Sequence, residues 1–179
     1  EVKVQGNVYT DPERLQAVID DLMGEPVLLV DTLAAERALE EIPWVERAIV
    51  TTDFPNEVLI DIRELVPLAS FQGSDGRFRV IDRDGRVLDV LDGQPVDYLL
   101  ITGQAPDTSP GGYAGAPFAA AAQLVAALPD EIRAVTRTAS VDAATGDLGL
   151  VLEPGIDVRL GTAAGLDGKL ARLLQRVRD

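Results

Sequence analysis

Along the first 64 residues the chain alternates, then steps by threes and fours, then alternates again. Val2-Lys3-Val4 alternates and stops at Gly6-Asn7, a turn pair. Leu15, Val18, Ile19 and Leu22 recur at helical spacing. The helix they predict starts at Thr10-Asp11-Pro12-Glu13. Thr10 can cap it, Glu13 can close a capping box, and Asp11 suits the positive helix end. Proline is tolerated in a first turn, where its missing N–H has no helical partner. Gly24 ends this helix. A second helix follows Val30-Asp31-Thr32 and is expected to turn Leu33, Ala34, Ala38, Leu39 and Ile42 inward, with Pro43 closing it. Trp44 to Val50 reads as a strand, with Trp44 buried at its start beneath the helices. Phe54-Pro55-Asn56 turns the chain. Val58, Ile60 and Ile62 then alternate with Leu59, Asp61 and Arg63, the pattern of a half-buried strand. The segment reads β-α-α-β-β, with two helices over one face of a small sheet.

From about Leu65 the texture changes to short strands separated by glycine-containing turns. Val66-Pro67 favours an extended junction. Phe78 to Asp82 and Arg86 to Val90 flank Asp84-Gly85, a strong hairpin signal. Tyr98 to Gly103 is another strand, and residues 104–116 form one long loop rich in Pro, Gly and Ser. Pro117 opens an alanine-rich helix that Pro129 stops. Three strands follow, at roughly 132–141, 147–152 and 156–160, the last two joined by Pro154-Gly155. A final helix over about Leu166 to Val177 places Leu166, Leu170, Leu173 and Val177 inward. The predicted fold class is α+β: residues 1–65 as one domain, and residues 66–179 as a mainly antiparallel sheet domain with two or three helices.

Charge narrows the partners. Net charge is −14, from 30 acids against 16 bases, so a phosphate backbone would be repelled and nucleic acid is not an expected partner. The last 17 residues run the other way. Lys169, Arg172, Arg176 and Arg178 stand against Asp167 and Asp179, leaving a net −16 on residues 1–162. Lys169, Arg172 and Arg176 are spaced to share one side of the final helix and are candidate partner-binding residues; a merely solvated helix face explains them as well. No apolar run approaches the roughly 18 residues that cross a bilayer.

Candidate chemistry is sparse. The chain has no cysteine and no histidine, which removes thiolate catalysis, disulfides, the commonest general base and the commonest transition-metal ligand. Asp82-Arg83-Asp84-Gly85 resembles the start of a calcium loop, but it lacks the third oxygen ligand and the distal glutamate; a hairpin turn explains it better. Gly111-Gly112 has no lysine and is not a phosphate-binding loop. No serine has a histidine or a Ser-x-x-Lys lysine to activate it. Paired carboxylates could in principle serve a hydrolase, yet 30 acids guarantee accidental pairs. No catalytic residue, metal site or cofactor is expected.

The order of motifs carries a resemblance. Val4-x-Gly6-Asn7, Gly24-x-Pro26, and Leu39-Glu40-x-Ile42-Pro43-Trp44-Val45-x-x-Ala48-x-Val50 follow one another. Pro55-x-x-Val58-x-Ile60-x-Ile62-x-Glu64-x-x-Pro67-x-Ala69 comes next. This run resembles the POTRA domain of the FtsQ/DivIB cell-division proteins and its exit into their β domain. Val80-Ile81-Asp82-x-Asp84-Gly85-x-Val87 and Ile156-x-Val158-x-Leu160-Gly161, followed by Lys169-Leu170, are similar to that β domain. Two departures are Leu65, where the family usually has arginine, and Tyr98-Leu99, where it usually has Leu-Pro. A third is that family members continue into a strand with an Asp-Leu-Arg-like step, whereas this sequence ends at Asp179, so the β domain is expected without its last strand.

The resemblance implies a non-catalytic scaffold, membrane-anchored in the full-length protein by one helix, with these domains on the extracytoplasmic side at the division septum. It implies FtsB/DivIC-type and FtsL-type partners and, through them, control of the septal peptidoglycan synthase. Strand addition at a sheet edge is the expected binding mode. Two other readings remain. A POTRA-bearing outer-membrane assembly or secretion factor would fit the first 64 residues, although such proteins usually carry several copies in series. The other is a secreted carboxylate-dependent hydrolase.

Overall fold

In the computed structural model, which describes residues 1–179, the first helix is started by Asp11 rather than Thr10. The Asp11 carboxylate accepts the backbone N–H groups of Glu13 (2.9 Å) and Arg14 (3.2 Å). Thr10 is withdrawn from the cap because it is buried and bound elsewhere: its N–H and its hydroxyl both donate to Glu64 Oε1, at 2.7 and 2.6 Å. The chain divides into two units, Glu1–Leu65 and Val66–Asp179.

The first unit runs β1 (Val2–Gln5), α1 (Pro12–Leu22), a 3₁₀ turn (Val27–Leu29), α2 (Thr32–Glu40), β2 (Val45–Asp53) and β3 (Glu57–Glu64). The sheet order is β1-β3-β2, with β1 parallel and β2 antiparallel to the central β3. The alternation read in the sequence places Val58, Ile60 and Ile62 in a core with Leu15, Leu22, Leu39 and Val45. The chain leaves β1 through Gly6 at φ +86°, where a Cβ would come within 1.9 Å of the Ile62 carbonyl oxygen; only glycine passes there.

One further detail of this unit differs from the sequence expectation. On α2 the buried residues are Ala35 and Leu39, one turn apart, while Leu33 is 64% exposed and Ala34 faces solvent. The helix is rotated because Glu36 and Glu40 reach β2: Glu36 accepts the Val50 N–H at 2.9 Å and Glu40 the Ala48 N–H at 3.2 Å. Trp44 is mostly but not fully buried, at the start of β2 as expected. It stacks on Tyr9, ring centroids 5.0 Å apart, and its carbonyl accepts the Leu65 N–H at 2.8 Å.

The second unit contains β4 (Ala69–Gln72), β5 (Phe78–Ile81), β6 (Val87–Leu91), β7 (Leu99–Thr102), α3 (Ala116–Ala127), α4 (Asp130–Val135), β8 (Thr136–Val141), β9 (Leu148–Leu152), β10 (Ile156–Gly161) and α5 (Leu166–Arg178). Its seven-stranded sheet has the order β10-β9-β8-β7-β4-β5-β6. Pairing is antiparallel except at β4–β7 and β7–β8, which are parallel. The fold is thus α+β with a mixed, mostly antiparallel sheet. The core holds Phe71, Ile81, Ile101, Ala139 and Leu150 from the strands and Phe118, Leu124, Ile132 and Leu170 from the helices. The ring centroids of Phe71 and Phe118 are 4.6 Å apart.

Residues 130–135, expected to include the start of a strand, form α4 instead. Asp130 and Glu131 occupy its first turn, where negative charge is favoured, and Ile132 is fully buried. On α5, Leu166, Leu170, Leu173 and Leu174 meet the core, whereas Val177 is 40% exposed.

Candidate partner-binding edge

The two ends of the seven-stranded sheet are treated differently. At the β6 end, the loop expected to be irregular is laid along the strand. The Gly111 N–H donates to the Val87 carbonyl and the Val87 N–H to the Gly112 carbonyl, both at 2.8 Å; the Ala114 N–H donates to the Gly85 carbonyl at 2.8 Å. The loop is pinned further back by Arg79, only 4% exposed, whose Nε donates to the Thr108 carbonyl at 2.9 Å. Arg79 Nη1 and Nη2 clasp the Asp75 carboxylate at 2.6 and 2.8 Å. Asp107 in the same loop accepts the Asp75 N–H (3.1 Å) and the Ser74 hydroxyl. The Arg79 guanidinium, helped by the Arg77 N–H, lowers the Asp75 carboxyl to about 2, and the Ser74 hydroxyl lowers that of Asp107.

At the other end β10 pairs only with β9. Its side chains alternate between Ile156 (55% exposed), the half-buried Val158 and the buried Leu160 on one face, and the exposed Asp157 and Arg159 on the other. Beside it, the face of β7 to β10 that carries Asp157 and Arg159 forms a shallow groove lined by Thr102, Ser140, Gly149, Val151, Asp157 and Arg159. Gly149 keeps its floor low: a Cβ there would meet the Ser140 hydroxyl at 2.6 Å and the Val158 carbonyl at 3.0 Å.

Helix α5 carries the three basic residues singled out in the sequence, and they are not equivalent. Lys169, half-buried, donates from Nζ to the Thr162 carbonyl at 2.7 Å and so ties the helix to the chain leaving β10. Arg172 is exposed and donates from Nε to the Gly168 carbonyl one turn back, at 3.2 Å. Arg176 is exposed in the last turn. Arg178 pairs through Nε and Nη2 with Glu131 on α4, which lowers the Glu131 carboxyl. Arg172 and Arg176 thus remain as an outward basic pair, while Lys169 is an anchor.

Asp82-Arg83-Asp84-Gly85 is a hairpin turn. Asp82, 2% exposed, accepts the Asp84 and Arg86 N–H groups at 2.9 Å each. No cluster of three or more carboxylates is placed to hold a metal ion. No helix is long and apolar enough to cross a membrane. Sequence reasoning passed over the Arg79 clasp. Its signal was the alternation of β5, which puts Arg79 on the same face as the core residue Ile81, where a charge needs a partner.

A three-stranded α/β unit in the order β1-β3-β2, followed by a mixed seven-stranded sheet, is the architecture of a POTRA domain with a β domain after it. Residues 1–64 match the FtsQ-type POTRA domain, and residues 69–179 match the C-terminal region of cell division protein FtsQ/DivIB. The chain belongs to the FtsQ/DivIB family of cell division proteins. It is 32% identical over 167 residues to the cell division protein FtsQ of Myxococcus fulvus, covering 87% of this chain and 55% of that one. The FtsQ of Allochromatium vinosum is 28% identical over 178 residues, covering 97% of this chain and 65% of that protein. That of Corynebacterium glutamicum is 28% identical over 102 residues, covering 57% and 45%. The chain therefore spans about half to two thirds of the length of these relatives. A solved structure of the major extracytoplasmic domain of the trans isomer of DivIB from Geobacillus stearothermophilus is similar at 16% identity. Its TM-score is 0.40, covering 61% of this chain and 87% of that one. Family membership supports a division-protein role over the barrel-assembly reading.

Proposed function

We propose that the chain is a non-catalytic scaffold of the division site, holding FtsB/DivIC-type and FtsL-type partners by strand addition beyond β10. The observation that carries this is the contrast between the sheet's ends: the start of β6 is bonded to a pinned loop, and β10 has no outer neighbour. Unpaired N–H and C=O groups on such a strand are a template for another chain. The strand that family members carry after their last helix would lie along β10, with the partner's strand outside it. Arg172 and Arg176 would draw in an acidic partner segment and set the salt dependence of the encounter. In the whole protein, a membrane helix would hold these units on the extracytoplasmic side of the septum, where the bound partners bear on the septal peptidoglycan synthase.

The test is hydrogen exchange on this chain, and on one extended by its native tail, with and without an FtsB/DivIC-type partner. Protection of residues 156–161 or of the added strand is the expected result. Protection confined to the first unit sinks the reading. Replacing Arg172 and Arg176 by glutamine in the tailed chain should weaken binding and flatten its salt dependence. If both stay unchanged, the basic face is only solvated surface.

A further inference from the structure

The first unit carries an exposed apolar cluster that its own core does not use. Of the fourteen large apolar side chains that stand exposed in the whole chain, four fall within eleven residues: Met23 (60%), Leu28 (83%), Leu29 (72%) and Leu33 (64%). They sit where α1 gives way to α2. Met23 follows the last turn of α1, Leu28 and Leu29 are on the 3₁₀ turn, and Leu33 is in the first turn of α2. The connector meets its structural needs with other residues. Val30 packs on the core, Pro26 accepts the Leu29 N–H at 2.8 Å, and Asp31 caps α2 through the Ala34 N–H at 3.0 Å. Polar residues would serve at positions 28, 29 and 33 as well for folding. Apolar side chains grouped in this way mark contact surfaces.

Charge says what covers them. From Leu15 to Glu36 the sequence has five acids and no base; Arg14 and Arg37 flank this stretch, and Arg37 donates from Nε to the Leu33 carbonyl at 3.1 Å. Of these acids, Asp20, Asp21, Glu25 and Asp31 are exposed in the same stretch, Asp20 accepting from Gln16 at 2.7 Å and Asp31 capping α2, while Glu36 is turned to β2. An acidic rim repels an anionic lipid surface, and it repels the same surface of a second copy. We infer that the α1–α2 connector of the first unit is a docking surface for a basic protein segment with apolar anchors, such as one face of a cationic amphipathic helix. Leu28, Leu29 and Leu33 would take up the anchors, and the four carboxylates would meet the segment's lysines and arginines. This surface lies on a different unit from β10 and does not depend on the strand-addition proposal.

The probe is a labelled helical peptide of leucines and lysines in amphipathic register, with a leucine–glutamate peptide of the same apolar pattern as control. Affinity is read by fluorescence anisotropy on the 179-residue chain, with hydrogen exchange to locate the contact. The lysine peptide should bind and protect residues 23–33, and the glutamate peptide should not. Leu28→Gln with Leu29→Gln should weaken binding by about tenfold or more, because the anchors lose their apolar contact. Leu33→Gln, on α2, is the second variant, and unchanged melting verifies that each is folded. Asp20→Asn with Asp21→Asn and Glu25→Gln should weaken binding and reduce its salt dependence. Lysine-peptide binding indifferent to the leucine variants would reduce the site to diffuse attraction by an acidic protein and overturn the inference. Leucine-dependent binding to phosphatidylglycerol vesicles, or leucine-dependent self-association in sedimentation, would overturn it in favour of lipid or of a second copy.

Discussion

Single residues here do work that their type alone does not announce. Glu64 receives three donors on one oxygen: the Tyr9 and Thr10 N–H groups and the Thr10 hydroxyl. It thereby fixes the start of α1 from the far end of β3. Glu64→Ala leaves a buried hydroxyl and N–H unpaired and should cost about 1–3 kcal/mol in denaturant unfolding. Asp75 makes a pH prediction. Its carboxyl is lowered from 3.8 to about 2, so its ionised form is favoured by folding. The resulting stabilisation is present above about pH 4 and is lost as pH falls toward 2. The melting difference between the native chain and Asp75→Asn should therefore shrink over that interval; a gap that stays constant would show that the charge is irrelevant. Trp44 is mostly buried, as its position after proline suggests, but it is not a core residue. A lone tryptophan after proline reads as a core anchor, but the adjacent Val45 fills the core and the ring is left to stack on Tyr9. A Tyr9/Trp44 double-mutant cycle should give a coupling of about 0.5–1.5 kcal/mol. Trp44→Ala should cost less than the about 3–5 kcal/mol of an enclosed aromatic.

At the scale of elements, strands with clean alternation or a flanking turn signal were legible, and one strand with neither was not. β3, β9 and β10 follow directly from their patterns. β4, only four residues with no alternation of type, was invisible although it sits inside the sheet between β5 and β7. Its identity depends on pairing with distant strands, which no local window contains. The same limit explains α2. Its face was read from apolar spacing, while its actual rotation is set by two carboxylates bonding to the edge of β2. Those bonds occupy N–H groups that would otherwise invite another strand. Glu36→Ala with Glu40→Ala should cost about 0.5–1.5 kcal/mol per bond and speed amide exchange at Ala48 and Val50. Exchange that is unchanged at both amides would mean the bonds contribute nothing.

For the whole molecule, the division at Leu65 coincides with two separate hydrophobic cores, one per unit. The change of texture at that point in the sequence reflects two ways of burying apolar surface: helices laid on three strands, and helices laid on seven. Residues 1–65 expressed alone should keep their secondary structure by circular dichroism and melt cooperatively. A disordered fragment would show that the first core needs the second unit. The basic end of α5 was legible as a charge run, but not the division of labour within it. Which base anchors and which projects depends on where the β10 exit places the Thr162 carbonyl.

The loop laid along β6 has a further consequence, for stoichiometry. A sheet with two accepting ends can be extended from both, and copies can then chain into open filaments. Here the loop takes both backbone groups of Val87, and the Val90 N–H is turned to the Asp89 carboxylate, so the β6 edge offers another strand fewer free groups. If strands add beyond β10 alone, each copy would take one strand at this sheet and copies would not chain through it. The closing element is a strap containing glycines and prolines, held down by the buried Arg79.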